Sequence, residues 1–347
     1  MKQRLQLGFF ARCDGEGDSR QIYEDLLAFF VAADQLGFDM GWVAEHHFKT
    51  SGGRLPSLFP FLAVAAERTK QIRLGTALVV MPFTHPVRIA EDAAVVDLLS
   101  GGRLELGIGS GSDPLAFQTF GLTIDQRHTL TTDALTLLRR ALRGEALEPA
   151  GQQLQPPAPT LADRLWQSAV TVNGAQHVAR MGEGLIIPWS GAGNTQRSYE
   201  NQLPVIHRYL AQWAEQSAAT ATNAMPRVAI SRSLYPAANK AQALAELRDD
   251  IESYHAKAIQ EGNVAAGLSL DELCQRMNIA AGHPDEVAEF LLADQTLPHA
   301  TLLLIQFKPM GLALARKLEM LEQIATEIAP ALGWRPRSSL DNVLRDS

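Results

Sequence analysis

Glu45, His46 and His47 stand side by side at the end of an apolar run, in MGWVAEHHFKT (40–50). A carboxylate beside two imidazoles can bind a metal, move a proton or simply hold a turn. If the run is a strand that continues this far, neighbouring side chains point to opposite faces. His46 and His47 then cannot chelate one metal ion together. One of them faces a pocket as an acid or base, because an imidazole titrates near neutral pH. The other, with Glu45, supports the local structure. A pair of histidines satisfied within a turn is the competing reading.

Three further stretches carry residue types that bind ligands. GIGSGSD (107–113) places glycines at alternate positions, so a ligand can approach the backbone and exposed N–H groups can meet an anion. TVNG (171–174) opens a helix, where Thr171 or Asn173 serves as a cap or, with Gly174, as part of a phosphate cradle. Arg127, at the start of another helix, can supply the cation for such a phosphate, or lie solvated on the surface. His85 precedes a proline and reads as a helix start. Trp189, in IIPWSG, can line a flat ligand or pack within the core.

The elements that must position these residues alternate. Strand-like runs cover 5–10, 39–44, 72–80, 103–109, 168–172, 184–188, 227–235 and 300–307. Helical spacing lies between them, as in IYEDLLAFFVAADQLG, which stops at Gly37, and HPVRIAEDAAVVDLLSGG. Strand after helix after strand implies a parallel α/β sheet. Eight strands without a GxGxxG after the first predict a closed (β/α)₈ TIM barrel, whose active site lies at the C-terminal ends of the strands. Glu45, His46 and His47 fall at such an end. Segments 144–166 and 267–279 read as insertions, the second at the C-terminal face where barrels place lids. Residues 1–334 are expected to form one domain and 335–347 a polar tail.

Composition narrows the class. The chain has 347 residues, 46% hydrophobic and 20% charged, which is enough for a full core. A net charge of -7 with no basic stripe disfavours nucleic acid. Cys13 and Cys274 are the only cysteines, and neither sits in a CxxC. We expect a reducing, cytoplasmic setting, no zinc or other metal site, no signal peptide and no membrane span.

LGFDMGWVAEHHF and GTALVVMPFTHPVRIAEDAAVVDLLSGGRLELGIGSG resemble the bacterial luciferase-like flavin monooxygenases, near the luciferase α-subunit branch. The resemblance runs through the N-terminal half and, more weakly, through MGEGLIIPW and AGHPDEVAEFL. It implies a (β/α)₈ barrel that takes reduced FMN from a separate flavin reductase and uses O₂ to oxidise a small organic substrate. It assigns His46 to proton transfer during the oxygen chemistry, with Glu45 and His47 in support. Ala77 and Leu78 match a non-proline cis peptide against the flavin ring. Arg127 and Thr171 match flavin-phosphate ligands, and Trp189 an aromatic of the substrate cavity. The chain departs from the α-subunit at Gly109 and Ser110, which replace a reactive Cys and a phosphate-binding Arg. That argues against light production and removes one phosphate cation. An F420-dependent hydride-transfer enzyme and a non-catalytic flavin-binding protein of the same fold are the rival readings. A second apolar face on the helices within 56–70 and 85–100 predicts a homodimer.

Overall fold

The computed structural model describes residues 4–15, 17–49, 53–188, 198–220, 224–260, 267–307 and 312–336. Within them lie nine strands: β1 (Gln6–Ala11), β2 (Met40–Val43), β3 (Arg73–Val80), β4 (Leu104–Gly109), β5 (Leu165–Ser168), β6 (Gly184–Ile187), β7 (Val228–Pro236), β8 (Ile279–Gly282) and β9 (Leu302–Gln306). All the strand pairs are parallel. Eight of the strands close a ring in which β1 to β6 follow in order, β6 meets β7, β7 meets β9, and β9 returns to β1. The expected (β/α)₈ barrel is therefore present.

The ninth strand was not anticipated. β8 lies in IAAG, too short to stand out in the sequence, and pairs only with the last four residues of β7, Ser233 to Pro236. It begins at the last residue of the expected insertion, 267–279, and continues beyond it. The fifth strand also differs from expectation. SAVTV reads as β-branched alternation, yet the strand is Leu165–Ser168 and Thr171 already caps a helix. The proline-rich stretch before it runs over the surface through a bridge between Leu147 and Gln152 and a short 3₁₀ turn, Pro159–Arg164.

Eleven helices matter here: α1 (Ser19–Gln35), α2 (Leu58–Arg68), α3 (Pro86–Leu99), α4 (Pro114–Thr119), α5 (Arg127–Leu142), α6 (Val172–Arg180), α7 (Ser198–Thr220), α8 (Lys240–Gln260), α9 (Leu270–Arg276), α10 (Pro284–Leu292) and α11 (Leu314–Gln323). Their ends follow ordinary capping chemistry. Asp18 accepts the Gln21 N–H at the start of α1, and Gly37 turns the chain after it at φ +82°. His85 accepts the Val87 N–H ahead of Pro86, as its place before a proline predicts.

Inside the ring the core is solid. Met40, Trp42, Trp166, Ile186, Ala229, Leu302 and Leu304 fill it. The two indoles meet edge to face with ring centres 5.5 Å apart. Glycines on adjacent strands make the room, because a Cβ on Gly75 would strike Trp42 and one on Gly184 would strike Trp166. Glu105 is buried beneath and accepts from Arg73 Nε and Trp166 Nε1, both at 2.6 Å. A buried carboxylate that accepts from a guanidinium and an indole is not left unpaired. Ala77 and Leu78 pack on top of this plug, so the barrel is closed below them and open above.

Candidate active site

Above the plug lies a cavity of about 340 Å³. Its walls come from β1, β3, β5, β6, β7 and β9 and from the segments that follow β1, β2, β3, β4 and β6. The floor is apolar, made by Ala77, Leu78, Ile186 and Leu304. The polar part of the lining is Arg12, Glu45, His46, His47, Ser168 and Ser231.

β3 shapes the floor through a bulge. Thr76 pairs with Leu106 and Val79 with Ile108, so Ala77 and Leu78 together face Gly107. Thr76 Oγ1 donates to the Gly107 carbonyl at 2.7 Å and accepts the Gly107 N–H at 2.8 Å. The Ala77–Leu78 peptide is cis. The glycines of GIGSGSD answer mainly to this bulge. A Cβ on Gly107 would run into the Thr76 carbonyl oxygen, and one on Gly109 would lie 2.6 Å from Leu78 Cδ1. Gly109 and Ser110 do not line the cavity, whereas Gly111, Ser112 and Asp113 do. A side chain at position 109 would have to displace Leu78, which is the physical correlate of glycine there.

The histidine pair departs from the alternation argument. β2 ends at Val43, so strand geometry no longer governs residues 45 to 47. The chain turns through Phe48, whose φ of 57° is left-handed. Both imidazoles consequently line the same cavity. The Glu45–His47 contact does form: Glu45 Oε1 lies 2.8 Å from His47 Nε2, and Glu45 Oε2 accepts the Val80 N–H at 3.2 Å. Glu45 thereby ties the end of β2 to the end of β3. His47 also meets Phe83 and Phe120 edge-on, with ring centres at 5.3 and 5.0 Å, and those two phenyl rings stack on each other at 4.5 Å. Lys49 pairs with Asp113 at 2.5 Å across the same side of the mouth.

His46 sits deeper. Burial, reinforced by the Arg12 guanidinium, pushes its pKa down to about 4. The expectation of an imidazole titrating near neutral pH is thus corrected: His46 is neutral there, a base and hydrogen-bond partner. Its Nδ1 is buried without a hydrogen-bond partner among the described residues, and it packs against Gly53.

Sequence reasoning missed Arg12, Ser231 and Gln306. Gln306 Nε2 donates to Ser231 Oγ at 2.5 Å across the β7–β9 seam. The rule that barrel strands end at the active site would have found Arg12, one residue beyond β1. The neighbouring Cys13 is buried, and burial followed by the Asp14 charge raises its thiol to about 12, so it is no nucleophile. Arg127, Thr171, Asn173 and Gly174 are not in the cavity wall. Thr171 Oγ1 accepts the Gly174 N–H at 3.1 Å as the cap of α6, and Arg127 Nε lies 3.2 Å from His128 Nε2. Trp189 lies outside the described residues, as does most of the expected tail. Among the described residues no group of three His, Cys, Asp or Glu side chains could hold a metal ion, and no helix is long and apolar enough to cross a membrane.

The family profile described as luciferase-like monooxygenase matches residues 5–301. The chain is 39% identical over 132 residues to the 4-hydroxyprotoasukamycin monooxygenase of Streptomyces nodosus subsp. asukaensis, covering 38% of this chain and 35% of that one. It is 25% identical over 297 residues to the F420-dependent glucose-6-phosphate dehydrogenase of Amycolatopsis mediterranei, covering 81% and 86%. The fold superposes on the oxygenating constituent of 3,6-diketocamphane monooxygenase from Pseudomonas putida, solved with FMN, at a TM-score of 0.71 and 19% identity over 95% and 99% of the two chains. The match spans less than half the length of the first curated relatives. The chain belongs to the luciferase-like monooxygenase family.

Proposed function

We propose that this member of the family is the oxygenase of a two-component system, taking reduced FMN from a separate reductase and using O₂ to oxidise a small organic substrate. The observation that carries the reading is the setting of His46, a neutral imidazole at a barrel-mouth cavity floored by Ala77 and Leu78. An apolar floor with polar side chains in the lining suits a flat heteroaromatic ring. When bound, the reduced flavin supplies the electrons that activate oxygen. Ala77 and Leu78 would support its ring, and Arg127, Thr171, Asn173 and Gly174 would hold its phosphate. Thr171 still has a hydroxyl proton to donate, because the cap uses only its oxygen as acceptor. His46 Nδ1 is shut in against Gly53, so Nε2 is the atom we assign to proton exchange with the substrate. Glu45 steadies His47, and the stacked Phe83 and Phe120 rings flank it.

The F420-dependent relative favours a second reading, hydride transfer from reduced F420 on the same fold. Anaerobic titration separates the two. Reduced FMN is expected to bind more tightly than reduced F420, and the bound flavin to reoxidise at a rate different from that of free flavin once air is admitted. Tighter binding of F420 overturns the monooxygenase reading. We also assign α2 and α3 to a homodimer interface, since Val64, Val95, Leu98 and Leu99 are exposed on them.

A further inference from the structure

A reaction between a flavin and an organic substrate needs room for two molecules. The His46 cavity, at about 340 Å³, is near the lower end of the range for single ligands, roughly 300–1,000 Å³. A second cavity of about 370 Å³ adjoins it. This one lies between α1 and α11, beside the ends of β1 and β9. Phe10 and Arg12 line both cavities and form the partition between them. Ile22, Leu26, Phe29, Phe307, Leu312 and Leu314 give the second cavity an apolar lining. Its polar lining is internally paired: Asp14 and Lys317 form an ion pair at 3.4 Å, Asp18 caps α1, and Asp25 accepts from Gln21 Nε2 at 2.8 Å.

We propose that the second cavity is the substrate chamber, and that the substrate is a two-part molecule with an anionic oxygen placed against Arg12 and an apolar body between α1 and α11. The inference rests on the flavin reading above. Barrel order supports it. The residues assigned to the flavin phosphate follow β4 and β5, whereas the second cavity opens at β1 and β9. Those seams lie on opposite sides of an eight-stranded ring. A flavin whose tail leaves toward β5 fills the first cavity and leaves the opposite side for its co-reactant. Arg12 at the partition is the cation common to both spaces, and a guanidinium selects a carboxylate, sulfonate or phenolate oxygen over a neutral group. The carbon next to the anionic oxygen then lies at the partition, on the side of the His46 cavity, while the apolar body is withdrawn from water.

Equilibrium dialysis of the full chain tests this with 2-naphthoate and its neutral counterpart 2-naphthylmethanol as probes, each with and without FMN. Naphthoate is expected to bind at one site per chain, about tenfold or more tighter than the alcohol. Arg12→Met should abolish that difference. Leu314→Trp fills the chamber and should weaken both probes by about tenfold while leaving FMN affinity unchanged. Absence of saturable naphthoate binding, or equal binding by wild type and Leu314→Trp, overturns the proposal. So does a fall in FMN affinity in folded Leu314→Trp, which would give the chamber to the flavin tail. If FMN fails to bind wild type while naphthoate behaves as expected, the flavin reading fails and the chamber stands. Arg12→Met keeps the test decisive if Leu314→Trp does not fold.

Discussion

Gly53 bears directly on His46: a Cβ at position 53 would lie 2.7 Å from both Cγ and Nδ1 of the imidazole. The backbone there has φ +142°, which L side chains rarely adopt. Its neighbours are pinned, since His46 N–H donates to the Leu55 carbonyl at 3.0 Å and Arg54 N–H to the Cys13 carbonyl at 2.7 Å. A side chain at 53 would therefore both strain the backbone and press on the ring. Gly53→Ala is expected to lower turnover by about 10²-fold, the scale of a misplacement near 1 Å. It should also raise the His46 titration midpoint, read by NMR, as the ring becomes wetter. An unchanged midpoint in folded Gly53→Ala means the glycine does not position His46.

Burial of a neutral imidazole has a consequence for stability. The pKa of His46 is about 4 in the folded protein, mainly through burial and next through Arg12, against 6.5 for an ordinary imidazole. Well above pH 6.5 the ring is neutral in both states and adds no slope. Between 6.5 and 4 the unfolded chain takes up a proton that the folded protein resists, so stability falls as pH falls. Between pH 7 and 5 this contribution is about 2 kcal/mol. Urea unfolding at the two pH values should show a smaller loss for His46→Asn than for wild type. Equal losses would mean that His46 titrates normally in the fold.

How far the sequence carried depends on what each residue answers to. The helix start at His85 and the stop at Gly37 were legible because capping is local chemistry. The barrel was legible because strand and helix periods alternate. SAVTV misled because Val170 and Val172 mimic a strand, while the true strand is fixed by Trp166 reaching Glu105 inside the ring. Gly107 and Gly109 looked like a ligand loop, yet they make room for a bulge in a different strand, which no local pattern reveals. The shared cavity of His46 and His47 depended on β2 ending at Val43, and boundaries are the weakest part of any periodic reading.

Arg127 is the residue on which the phosphate assignment turns. With Thr171 engaged as the α6 cap, a guanidinium is the remaining charged contact. A charge-assisted hydrogen bond contributes about 1.5–3 kcal/mol, so FMN should bind about ten- to a hundredfold more tightly than riboflavin. Arg127→Ala should remove most of that preference and leave riboflavin affinity unchanged. If wild type binds the two flavins equally, the phosphate lies elsewhere.

Leu98 and Leu99 are 68% and 65% exposed on α3, beside Val95 on the same helix and Val64 on α2. Exposed large apolar side chains on two neighbouring helices mark a candidate protein–protein contact. Sedimentation at micromolar concentration is expected to show a dimer, and the double substitution Leu98→Glu, Leu99→Glu to show a monomer. A wild-type monomer would refute the interface. A dimer that survives the double substitution would place it on another face.

His46 and His47 share a cavity but not a task. His47 is held by Glu45 at 2.8 Å and flanked by Phe83 and Phe120, so its removal should act through local order. His47→Ala is expected to lower thermal stability while leaving the rate per folded molecule within about tenfold of wild type. Among the described residues His46 Nδ1 is buried without a hydrogen-bond partner, and burial lowers the pKa of the ring, features that a purely structural histidine does not need. His46→Ala should leave the fold and reduced-flavin binding nearly intact. It should lower substrate oxidation by roughly 10²–10⁴, the usual range for losing an acid–base group. Oxygen consumption should then be uncoupled from product and appear as hydrogen peroxide. Added imidazole is expected to restore part of the rate, because the vacated volume opens onto the cavity. Wild-type activity in His46→Ala at saturating reduced FMN would transfer the role to His47, and the same pair of measurements on His47→Ala would then show the larger loss.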